Sequence, residues 1–158
     1  MTRQRTPRWP AQPPRGLRPK LQRDQVRDLG ICHLSNLDAV ASGQATEANL
    51  WQLAGAALTW SRVAELLQVG EPEMRAQLEL ASALVARYGR TGKVLFTGPE
   101  YQRAKDGVQV MDQLAEIVDR ATAAIAAEWS ERKVNELAAL CLPMESVEDV
   151  IGAHEVSE

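Results

Sequence analysis

The chain has 158 residues, 45% of them hydrophobic and 25% charged, with a formal net charge of −3, values that fit one globular domain and exclude disorder throughout. Aromatic residues make up only 4%, so the expected core is aliphatic, and no apolar run reaches the roughly 18 residues a membrane span needs. The start has neither the apolar stretch of a secretory signal nor the Ser-rich amphipathic pattern of a transit peptide, and Cys32 and Cys141 are too few for a disulfide framework, so the expected location is the cytoplasm.

The first element is an arm. Residues 1–22 read as disordered, basic and proline-rich: residues 3–20 alone carry six bases, five prolines and no acid. A helical domain over 23–142 follows. Val26, Leu29, His33, Leu34, Leu37 and Val40 form one amphipathic stripe, and Gly43 supplies a stop. Thr46 is a plausible N-cap for the second helix, with Glu47 in its first turn. Leu50, Trp51, Ala54, Ala57, Leu58, Val63, Leu66 and Leu67 are too many for a narrow stripe, which makes this helix the central one, closed by Gly70.

Pro72 opens the third helix, where its missing N–H costs nothing. Met74, Leu78, Ala81, Leu84, Val85 and Tyr88 repeat along it, and Gly89 marks the expected end. Residues 93–97 read as an ordered loop whose Leu95 and Phe96 plug the core, since a lone strand has no partner. Thr97 and Glu100 form a capping box ahead of the fourth helix, with Tyr101, Ala104, Val108, Met111, Leu114, Ala115 and Val118 in phase. From Thr122 a fifth helix runs through Ile125, Trp129, Val134, Leu137 and Cys141, with a kink or a fresh start expected at Ser130 and a stop at Pro143. Residues 143–158 form an acidic tail. The expected fold is all-α: a compact bundle of about five helices carrying a basic arm and an acidic tail.

Charge is segregated along this order. Residues 1–23 hold seven bases and no acid, a formal +7, against −10 for residues 24–158; the last seventeen residues alone hold five acids and no base. Three readings of the arm stand side by side: contact with nucleic acid, docking of its P-x-x-P spacings to a polyproline-recognising partner, and an electrostatic tether to the acidic body or tail. Arg8, Arg15, Arg18 and Lys20 are its candidate contacts for an anion or nucleic acid. The stretch "PRGLRPK" resembles the P-R-G-R-P core of AT-hook peptides, with Leu17 interrupting it.

Catalytic motifs find little support. His33 and Cys32 are adjacent, so on a helix they point about 100° apart, and His33 falls on the apolar stripe. No C-x-x-C or H-x-x-x-H spacing offers a metal site, and Gly92-Lys93 lacks the earlier glycine and the following Ser or Thr of a phosphate loop. A non-enzymatic protein without a cofactor or metal is expected. Binding has more to rest on. Arg87, Arg90, Lys93, Arg103 and Lys105 flank the loop between the third and fourth helices as an anion-binding lobe, and Asp112, Glu116 and Asp119 are assigned to an outward, acidic partner-binding face.

From "LTWSRVAELL" through "RYGRTGKVLFTGPEYQRAKDGVQVMD" to "AAEWSERKVNEL" the chain resembles small helical accessory proteins of proteobacterial plasmids, prophages and integrative elements. That resemblance implies an accessory role such as blocking CRISPR interference, with an acidic body standing in for a phosphate backbone. The expected partner is a protein or nucleoprotein complex that handles nucleic acid, with no membrane involved and the oligomeric state open. Direct DNA or RNA binding through the arm and the Arg87–Lys105 lobe is the alternative.

Overall fold

A computed structural model describes residues 18–140; the arm to Leu17, and everything from Cys141 onward, lie outside the described residues. Five helices follow one another: α1 (Arg23–Ala41), α2 (Glu47–Leu67), α3 (Glu71–Thr91), α4 (Gly98–Ile117) and α5 (Arg120–Leu140). They form a compact all-α bundle, and no strand occurs among the described residues. Nor is any described helix long and apolar enough to cross a membrane.

α2 is central because both its sides are apolar or small. It packs against all four other helices, most extensively α5 and α3. The main core gathers Leu37, Trp60, Val63, Met74, Met111, Leu114 and Val118, while Val40, Leu50, Ala54, Leu84, Val85 and Val94 form a second cluster. Pairings along the helices fix their directions. Thr59 on α2 meets Ser130 on α5 at 2.6 Å, and Ser61 donates to the Met74 carbonyl where α3 begins. α1 begins beside the end of α4, since Lys20 pairs antiparallel with Asp119.

Several local expectations need correction. On α1 the buried face is His33, Asn36, Leu37 and Val40, while Leu34 is 51% exposed; a residue one step from His33 is turned 100° away, so Asn36 takes the inward place. Gly70 opens α3 as its N-cap, at φ +72°, and α2 is ended by Gln68 in the left-handed region. Gly89 lies inside α3, which runs on to Thr91 and stops at Gly92, φ +65°. Loop 93–97 carries no strand, but it plugs the core with Val94 and the half-buried Phe96, and Leu95 points out at 44% exposure. α5 is continuous through Ser130, whose hydroxyl donates to the Ala127 carbonyl and accepts from Thr59, and Ile125 faces solvent.

α5 starts at Arg120, two residues before the expected Thr122, and its cap is an aspartate. α4 ends at Ile117, and Asp119 starts α5 by accepting from the Thr122 backbone N–H at 2.9 Å and its hydroxyl at 2.7 Å. Here the last residues of the basic segment dock. The Arg120 N–H donates to the Pro19 carbonyl, Arg18 reaches Asp119 at 4.0 Å, and Leu21 packs on the core, so residues 18–22 belong to the folded body.

Candidate functional site

The assigned acidic face does not exist as one surface. Asp119 is 7% exposed and occupied as the cap of α5. Burial pushes its carboxyl up, but the Thr122 hydrogen bonds and the Arg18 charge more than offset this and leave it below its ordinary value. Asp112 is half-buried between α4 and α1, where a Cβ on Gly30 would sit 3.3 Å from its Oδ1. Burial raises its pKa, the charge of His33 opposes the shift and Glu116 adds to it. Glu116 alone of the three is exposed. Residues 112, 116 and 119 would share one side of an unbroken helix, but α4 stops at Ile117, which makes Asp119 the cap of α5, and the side that carries Asp112 meets Gly30 of α1.

The basic lobe divides in the same way. Arg87, half-buried, grips both oxygens of Glu100 at 2.7 and 2.9 Å and also donates to the Leu95 carbonyl, tying α3, the loop and the start of α4 together. Glu100 in turn accepts from the Thr97 N–H at 2.8 Å, which completes the expected capping box. The Arg87 hydrogen bond, with Thr97 and the guanidinium charge behind it, carries the Glu100 carboxyl from 4.5 down to about 2 against the upward push of burial. Lys105 lies 5.9 Å from the centre of the Tyr101 ring. Arg90, Lys93 and Arg103 are exposed and have no acidic partner within 4.0 Å among the described residues. Arg18 and Lys20 sit at the opposite end of α4 from these cations, so the described part of the arm and the lobe are not one patch. Arg8 and Arg15 lie outside the described residues.

A third constellation escaped sequence reading because its members come from separate helices. The Trp60 indole N–H donates to His33 Nε2 at 3.3 Å, with the rings edge to face. An indole nitrogen is only a donor, so Nε2 is the acceptor and the imidazole proton sits on Nδ1. That atom is buried and has no hydrogen-bond partner among the described residues. Burial holds the His33 pKa below its ordinary value, the charge of Asp112 pulling the other way. Beside it, Asn49 donates to Asn36 Oδ1 at 2.9 Å, and Gln77 Nε2 reaches the Arg103 carbonyl at 2.8 Å. His33, Asn36 and Gln77 line a small cavity of about 30 Å³ that is otherwise walled by residues such as Leu53, Phe96 and Met111. Polar positions on apolar stripes, His33 and Asn36 above all, were the available signal.

Among the described residues no three His, Cys, Asp or Glu side chains come together as metal ligands, and Cys32 is free and exposed. No family model, no curated protein and no solved structure matches the chain.

Proposed function

We propose that the chain is a non-catalytic binding protein of a mobile genetic element that engages a nucleic-acid-handling host complex, in the manner of an anti-CRISPR protein, by occupying a surface that otherwise receives nucleic acid. The observation that carries this reading is segregated charge with a fixed root. Residues 1–23 hold seven bases and no acid while residues 24–158 are net −10, and the backbone of Pro19 and Lys20 holds the base of the basic segment at the α4–α5 junction. Opposite charges on one small chain give complementary contacts to a nucleoprotein, which itself presents both signs. The acidic contact moves from the expected trio to Glu116 together with Glu71 and Glu73. These are exposed and without a basic partner among the described residues, and α3 starts beside the second half of α4, a Cβ at Gly70 falling 3.4 Å from Val110.

The test is competition. A purified CRISPR effector complex is loaded with labelled target duplex and titrated with the full chain. Loss of loaded duplex, weakened by Glu71→Lys, Glu73→Lys and Glu116→Lys together, is the expected result. Undisturbed loading overturns the reading.

Direct nucleic-acid binding is a second reading, supported by Arg90, Lys93 and Arg103 standing without an acidic partner among the described residues near the start of α4. It requires tight binding to naked duplex that weakens with salt by about −0.9 logarithmic units per phosphate engaged. Replacing those three with Gln then lowers the slope by about three contacts' worth.

A further inference from the structure

Where α3 and α5 pack on either side of α2 they leave between them an open apolar groove of about 240 Å³, lined by the buried Ala54 and Val85 with Leu58, Leu78, Ala86 and Leu137. We propose that this groove is the docking site of the chain's own C-terminal segment, residues 147–154, which inserts Val147, Val150 and Ile151. The proposal goes beyond the reading of function above and does not depend on it.

Three observations select this occupant. The described chain ends at the groove: Leu137 lines it, and Leu140, one turn further along α5, is 78% exposed. The sequence that follows has the right pattern. Val147, Val150 and Ile151 are spaced for one face of a helix, while Glu145, Glu148 and Asp149 fall on the other, a pattern that suits an apolar surface. The lengths also agree. From Leu78 to Val85 the groove follows seven residues of α3, roughly 10 Å at 1.5 Å per residue, while Val147 to Ile151 spans roughly 6 Å in a helix. Between Leu140 and Val147 lie six residues, a tether of at most about 25 Å over its seven steps, with Pro143 to break the run of α5.

A short tether also decides between the chain's own segment and a free partner of equal fit. Linked through so few residues, the segment meets the groove at an effective concentration in the millimolar range, above that of a separate chain in dilute solution. A weak contact suffices for high occupancy. The acidic face of the segment stays in solvent over the groove.

Amide hydrogen exchange on the full-length chain, read at residues 147–153 together with the mass from sedimentation, tests the proposal. The expected result is protection of about tenfold or more over unstructured rates, in a monomer and independent of protein concentration. Ile151→Asp removes that protection without touching the bundle. Ala86→Arg, at an exposed position on the α3 wall of the groove, removes it too, with the circular-dichroism melting curve reporting that the bundle persists. Unprotected amides in the monomeric wild-type chain overturn the proposal. So does protection that appears only at high concentration with a doubled mass, which would assign the groove to a second copy, and so does protection that survives Ile151→Asp.

Discussion

The Arg87–Glu100 pair shows how one residue's chemistry is set by elements it does not belong to. Thr97-x-x-Glu100 is legible as a capping box because the spacing is local, and the structure has it. Arg87, thirteen positions earlier, carries no local sign that it will hold the same carboxylate, so it reads as one more exposed cation of a basic lobe. The consequence is a pH dependence. Glu100 is held at about 2 in the fold against 4.5 in the unfolded chain, so the unfolded chain binds more protons between those values. The stabilisation is fully present above pH 4.5 and is lost as pH falls toward 2. Arg87→Met should lower stability at pH 7 by about 1–3 kcal/mol, the range for hydrogen bonds to charged groups in a site still partly open to water. Urea midpoints measured from pH 7 to pH 2 should converge for the wild type and the variant at the acid end. Parallel curves would show that the pair contributes nothing to acid sensitivity.

Between elements, the close approach of α3 and α4 depends on a single missing side chain. Gly107 faces Gln77, and a Cβ there would lie 2.0 Å from the Gln77 amide carbon, so Gly107→Ala must displace an amide that donates to the Arg103 carbonyl. Helix propensity favours Ala over Gly by about 1 kcal/mol, but an unsatisfied buried amide costs about 1–3 kcal/mol, so the substitution should destabilise by about 1 kcal/mol net. In a Gln77→Ala background the obstruction is gone, and the same change should stabilise by up to about 1 kcal/mol. The sign reversal, read from thermal midpoints, is the signature. Gly89→Ala on α3, where beyond the adjoining backbone of the helix no described atom lies within 4 Å of the new Cβ, should stabilise in either background. Helix number and most inward phases were legible from periodicity alone. Legibility failed where a polar residue replaced an apolar one inside, as Asn36 does, and at Val118-Asp119, where the chain breaks with neither Gly nor Pro. An aspartate three residues before Thr122 was the cue, and it is weak because it needs the break to be known first.

Over the whole molecule, the two ends of the bundle differ, and the end that roots the basic segment shows why charge alone does not define a surface. Asp112, Glu116 and Asp119 carry the same formal charge and occupy three different environments: against Gly30 of α1, in solvent, and capping α5 beside Pro19. Their reversal to lysine must therefore separate. Glu116→Lys should shift the urea midpoint by less than ~0.5 kcal/mol. Asp119→Lys should cost about 1–2 kcal/mol for the lost cap, and more because an ammonium replaces it at a buried position next to Arg18. Leu114→Ala, one turn before the end of α4 and 1% exposed, sets the scale of a core loss at about 2–5 kcal/mol. A triple reversal that fails to bind a partner would then report unfolding through Asp119, whereas the solvent-facing set of Glu71, Glu73 and Glu116 can report on an interface. If Asp119→Lys proves as mild as Glu116→Lys, the α4–α5 junction is not held by its cap. The anchoring of residues 18–20 would then have to be reassigned to the Pro19 and Lys20 backbone alone.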